Sequence, residues 1–211
     1  MLRNGVIAGV FALPFLSIIV ATAMFFPFIT GKAYVFRVIV ELIFGLWAIL
    51  AVRDAAYRPK FSWILAAFGT FIAVLTLADV FGDNFNRSFW SNYERMEGLV
   101  THLHLLAYFV VAISVLNTEK LWDRFFHVSL GVAFFVALYS TIQLAGEMVI
   151  NQGGVRADGT LGNATYLAVY MSFTYLSLCF GSCVNQNTPC LIQRRYCFLL
   201  WWGPVSIPYG H

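Results

Sequence analysis

Two short stretches hold the residues whose types and spacing are suited to chemistry. The first, SFWSNYERMEG from Ser88 to Gly98, places Arg95 between Glu94 and Glu97, with Trp90 and Tyr93 beside it. Aromatics of this kind lie at the headgroup level of a bilayer, so Arg95 becomes a cation held beside lipid headgroups. The second, RADGTLGNATYLA, begins at Arg156 and carries Gly159, Thr160, Gly162 and Asn163. Glycines allow tight turns, and the amides of a Gly-Thr-x-Gly-Asn segment running into a helix can face an anion at the helix N-terminus. Plainer roles fit the same residues: a solvated loop with an aromatic anchor, and Asn163 or Thr165 as an ordinary helix cap. No lysine follows the glycines as it would in a phosphate-binding P-loop.

The rest of the chain has to hold these stretches at a membrane surface. Of its 211 residues, 60% are hydrophobic and 11% charged, and mean hydropathy is +0.76. Soluble domains carry roughly a quarter charged residues, so the chain reads as an integral membrane protein. Its net charge of +3 forms no basic stripe, which argues against nucleic-acid binding.

Six apolar segments follow one another: 5–28, 33–52, 61–78, 99–116, 125–146 and 164–183. Each approaches the roughly 20 residues that a helix needs to cross the hydrocarbon, and none alternates like a barrel strand. The expected fold is therefore all-α, a polytopic bundle of about six transmembrane helices. The first run has no charge between Arg3 and Lys32, too long a stretch for a signal-peptide core. Arg53, Arg58 and Lys60 fall in one short connection, and with Arg3, Lys120, Arg124, Arg194 and Arg195 they outnumber Lys32, Arg37, Arg87, Arg95 and Arg156 on the opposite side. The positive-inside rule then puts the N-terminus in the cytoplasm and loops 82–98 and 147–163 outside.

Within the spans, Arg37 and Glu41 are one turn apart near the outer end of the second helix, where they can pair. His102 and His104, two residues apart, point to different faces, which is poor geometry for a metal. Gln143 and Glu147 lie near the outer end of the fifth helix, and Asp79 closes the third. All four cysteines, Cys179, Cys183, Cys190 and Cys197, fall near the end of the chain and suggest neither a disulfide framework nor a metal site. The domain reading is a transmembrane domain over residues 1–182 and an atypical tail over 183–211. That tail mixes Cys, Trp, Arg and Pro without helical period.

Taken in order, helices bracketing SFWSNYERMEGL, a further helix pair and then RADGTLGNATYLAVY resemble the N-terminal half of the O-antigen ligase and polymerase-like family of bacterial polytopic enzymes. The resemblance covers residues 5–180; Gly162-Asn163-Ala164-Thr165 stands where many relatives have Gly-Asn-Pro-Asn. It implies a glycan transferase at the outer face of the bacterial cytoplasmic (inner) membrane. Such enzymes move an oligosaccharide from an undecaprenyl diphosphate carrier to an acceptor such as a lipid A core sugar, with no cofactor, metal or nucleotide. The partners implied are the lipid-linked oligosaccharide donor and the membrane.

Arg95 and Arg156 are then the contacts to the donor diphosphate, supported by Tyr93, Glu94, Glu97, Gly159, Thr160, Gly162 and Asn163. A planar guanidinium fork holds two phosphate oxygens at once and gains value as charge develops on the leaving group. Family members carry further helices and a large external loop with a catalytic His, so no catalytic residue is assigned here. The chain is expected to be an incomplete, inactive fragment that self-associates or lacks a C-terminal half, with a shift of reading frame near Cys183. Two other classes remain: a transporter or flippase using Glu41, Asp79 and Glu147 along a pathway, and a non-catalytic membrane scaffold.

Overall fold

A computed structural model describes residues 2–21, 24, 26–92, 97–150 and 156–185, with side chains up to Cys179. The described residues are all-helical. The elements are α1 (Leu2–Ala12) continuing into a 3₁₀ turn (Leu13–Ser17), α2 (Thr30–Arg53), α3 (Trp63–Val80), α4 (Phe85–Trp90), α5 (Leu99–Val115), α6 (Glu119–Leu144) and α7 (Ala164–Asn185). Short 3₁₀ turns also occupy Ala55–Tyr57 and Gly159–Leu161. The chain divides into two compact units, Met1–Leu167 and Ala168–His211; the described part of the second is the remainder of α7.

Three helices, α2, α3 and α6, are long and apolar enough to cross a membrane, with 24, 18 and 26 residues. Three shorter apolar helices accompany them among the described residues: Leu2–Ser17, Leu99–Val115 and Ala164–Cys179. The exposed face of α3 is apolar, with Trp63, Ile64, Val74 and Leu77 outward and Ile72 alone buried. A surface of that kind suits hydrocarbon better than water.

The first apolar run departs from expectation, because 5–28 is not one continuous helix. Pro14 has no N–H to return to Val10, so the helix tightens into the 3₁₀ turn and stops at Ser17, whose hydroxyl donates to the Pro14 carbonyl at 3.0 Å. The chain then turns, with Ala21 N–H bonded to the Pro27 carbonyl at 2.9 Å, before α2 begins at Thr30. Hydropathy reports apolar length but not where proline interrupts the backbone ladder.

The core of the first unit lies where α1, α2 and α5 meet. Val6, Val10 and Leu13 form one stripe against Val40 and Ile43 of α2 and Val111, Ala112, Val115 and Leu116 at the end of α5. Gly9 faces Ile43 so closely that a Cβ there would overlap the Ile43 side chain. Close approach through a small residue is the usual device for packing helices in lipid, where burying Leu against Leu gains little. α6 joins through an edge-to-face pair, Phe11 and Phe125, with centroids 5.7 Å apart.

Candidate functional site

Polar side chains concentrate at the end of the first unit where α2 begins. The segment Asp158–Asn163 is held there from several elements. Lys32, in the first turn of α2, donates from Nζ to the Thr160 carbonyl at 2.6 Å. The Thr160 hydroxyl donates to the carbonyl of Ser17, at the end of the α1 extension, at 2.7 Å. From the last turn of α6, Gln143 accepts from the Gly159 N–H at 2.8 Å and donates through Nε2 to Asp158 Oδ1 at 2.8 Å and the Val149 carbonyl at 3.1 Å. Asp158 is fully buried and Gln143 is 1% exposed. Buried polar groups of this kind persist because each finds a partner.

The glycines of the segment serve this packing. Gly159 and Gly162 have φ of +57° and +69°, the left-handed region that favours glycine. A Cβ on Gly159 would lie 2.8 Å from Ser140 Oγ, and one on Gly162 would overlap the Phe28 ring. The Gly162 N–H donates to the Asp158 carbonyl at 3.0 Å, and Asn163 Oδ1 accepts from the Thr165 N–H at 2.8 Å at the start of α7. The amides of Gly159, Gly162 and Thr165 are thus engaged by the protein itself. They do not form the open anion cradle that the glycine spacing suggests. Arg156 is exposed, two residues before the buried Asp158, so what the segment offers outward is this guanidinium.

The other polar stretch reaches the same end of α2. Asn84 caps α4 by accepting the Arg87 N–H at 3.2 Å, and Trp90 is exposed beside an edge-to-face contact with Phe89 at 5.1 Å. Tyr93, Glu94 and Arg95 lie outside the described residues; Glu97 is exposed. Gly98 packs beneath the Phe89 carbonyl, and α5 starts at Leu99. Thr101, in the first turn of α5, accepts from Nη2 of the buried Arg37 at 3.0 Å. Lys32 and Arg37 are five residues apart on α2, about 7.5 Å along its axis. The Asp158–Asn163 segment and the first turn of α5, which follows the other polar stretch, are therefore anchored to neighbouring turns of one helix.

The expected Arg37–Glu41 pair does not form. Glu41 is instead 3.2 Å from His104 Nε2 on α5, and it stands at the middle of α2, not near its outer end. His102 turns to another face, its ring 6.2 Å from that of Phe71 on α3. Among the described residues no group of three or more His, Cys, Asp or Glu side chains is arranged to hold a metal. Sequence reasoning treated Lys32 as a loop charge and left Gln143 without a partner. The available signal was a lone Gln one turn from a helix end, ahead of a glycine-rich loop containing Asp.

No known protein family, curated protein or solved structure matches the chain.

Proposed function

We propose that the chain binds the diphosphate of a polyprenyl-linked oligosaccharide as part of an O-antigen ligase-like glycan transferase. In this reading it crosses the bacterial inner membrane six times, with its N-terminus in the cytoplasm. The supporting observation is the anchoring of the Asp158–Asn163 segment and of the start of α5, just after the Ser88–Gly98 stretch, on adjacent turns of α2, through Lys32–Thr160 and Arg37–Thr101. Arg156 is exposed at this end of the first unit, and Arg95, outside the described residues, is assigned to the same site from the sequence. A lipid diphosphate resting at the headgroup level would meet cations from both loops. The buried Gln143–Asp158 network acts as the support that keeps the Arg156 loop in place.

Binding of undecaprenyl diphosphate to the purified chain in phosphatidylcholine vesicles tests this. Charge-assisted hydrogen bonds are worth about 1.5 to 3 kcal/mol, so Arg156→Ala should weaken binding by about ten- to a hundredfold. Arg156→Lys should lose part of that, because it keeps the charge and not the fork. Parental affinity in both Arg156→Ala and Arg95→Ala would remove the site. Topology is checked separately. Single cysteines at the exposed positions Asn92 and Glu147, in a background without the native four, should react with an impermeant thiol reagent on intact cells. Labelling at Ala55 with protection of both would invert the orientation.

A transport role is the second reading, and one observation favours it. Glu41 places an ionisable group at the centre of a helix long enough to span the bilayer, where such residues mark ion and proton pathways.

A further inference from the structure

The contact between Glu41 and His104 has a fixed proton inventory. His104 Nδ1 lies 2.7 Å from the Val100 carbonyl of its own helix. A carbonyl can only accept, so the Nδ1 position carries a hydrogen. The other ring nitrogen, Nε2, is 3.2 Å from Glu41 Oε1. A bare lone pair on Nε2 facing a carboxylate oxygen would set two acceptors against each other. The contact therefore needs one further proton, held either as Glu41 carboxylic acid donating to neutral His104 or as imidazolium donating to carboxylate. Both arrangements contain the same number of protons. Loss of that proton to water leaves a carboxylate and a neutral ring with nothing between them.

We propose that Glu41 and His104 form a one-proton binding site between α2 and α5 inside the membrane domain, whose occupancy holds these two helices together. Among the described residues, few other titratable or charged groups lie near the pair. On α2 the nearest charged group is Arg37, one turn away and turned to Thr101; on α5, His102 faces Phe71, and Tyr108, one turn after His104, packs against the apolar core. α1 brings Gly9 against Ile43 and Gly5 towards Leu46, so its one charge, Arg3, lies beyond Gly5, still further from Glu41. The 3₁₀ turn Leu13–Ser17 has no ionisable side chain, and α3 has Asp79 alone, in its last turn. On α4 the one charge, Arg87, is exposed, and Tyr57 of the Ala55–Tyr57 turn sits past the far end of α2. The Glu41 side chain is 68% exposed and that of His104 16%, so the pair is open on the Glu41 side. This site is separate from the proposed diphosphate contacts and does not depend on them.

The full chain, labelled with ¹⁵N at histidine and ¹³C at glutamate and placed in phosphatidylcholine vesicles, can be followed by solid-state NMR as pH is varied. The His104 Nε2 signal and the Glu41 carboxyl signal should change together over one pH interval, while Nδ1 keeps its hydrogen throughout. Glu41→Gln still offers an amide N–H to Nε2, so the helix contact survives, but the second home of the proton is gone. In that variant the His104 change should move to a different pH interval. His104→Gln should likewise displace the Glu41 change. Signals that never change in the folded protein, or a His104 transition left in place by Glu41→Gln, would overturn the proposal.

Discussion

From Thr30 to Glu41, α2 adds directional polar bonds to the apolar packing of Val40: Lys32 to the Thr160 carbonyl, Arg37 to Thr101 and Glu41 to His104. From Ile43 to Leu50 it meets them by shape, with Ile43 over Gly9 and Leu46 near Gly5. The two halves of one helix thus differ in balance: polar bonds to other helices and loops gather in the first, while the second is mainly apolar, its Trp47 donating to the Tyr57 carbonyl. Close packing sets how near α1 and α2 can come, and it tolerates exchange among apolar residues of similar volume. Polar bonds fix register and direction. Arg37–Thr101 and Glu41–His104 climb both helices in the same sense, so α2 and α5 run parallel.

The polar half should be the more fragile. Gln143→Met keeps side-chain volume but leaves the Gly159 N–H and the buried Asp158 carboxyl without their Gln partner. A buried N–H left unsatisfied costs about 1 to 3 kcal/mol, and Asp158 also loses one of its bonds, so a loss of about 3 kcal/mol is expected. Thermal unfolding in detergent measures it, and trypsin should cut faster after Arg156 once the loop is released. A stability unchanged within error would mean that the polar end contributes little and would reverse the comparison.

Less of this division could be read from the sequence than the fold class. Apolar length is a strong signal, and the described residues are all-helical, with three helices among them long enough to span a membrane. The break at Ser17 was missed because hydropathy weighs Pro14 only slightly, although its missing N–H ends the ladder. The partners of charged residues were harder still. Helical spacing correctly put His102 and His104 on different faces, but it paired Arg37 with Glu41, the nearest neighbour on the same helix. The structure pairs each across to α5. Sequence spacing knows the neighbours within a helix and not those between helices. The Gly159–Asn163 segment was legible as a turn, while the destination of its amides depended on Gln143, from the preceding helix.

The apolar half should respond to added volume. A Cβ at Gly9 overlaps Ile43, so Gly9→Val overpacks the α1–α2 contact and should destabilise by about 2 kcal/mol. The change sharpens the comparison through its partner: adding Ile43→Ala to Gly9→Val opens the space that the new side chain needs. The double variant should be more stable than the sum of the two single losses. Strict additivity in thermal unfolding would show that the two residues do not share the contact.

The smallest expected effect returns to the polar end. Asn163 Oδ1 accepts the Thr165 N–H at 2.8 Å, and its backbone carbonyl accepts from Leu167 at 3.0 Å, so the residue forms the N-terminal cap of α7. Asn163→Ala removes the side-chain acceptor and keeps the backbone bond. Loss of such a cap costs about 1 kcal/mol. Asn163→Asp should retain nearly all the stability, because a carboxylate accepts the same bond and is favoured at a helix N-terminus. If Asn163 contacted the donor directly, Asn163→Asp would put an anion beside the diphosphate and depress undecaprenyl diphosphate binding while leaving thermal stability intact. If it serves as the cap alone, Asn163→Ala should lower stability by about 1 kcal/mol and Asn163→Asp should bind as the parent does. Measured side by side, the two variants separate support of the Arg156 loop from contact with the ligand.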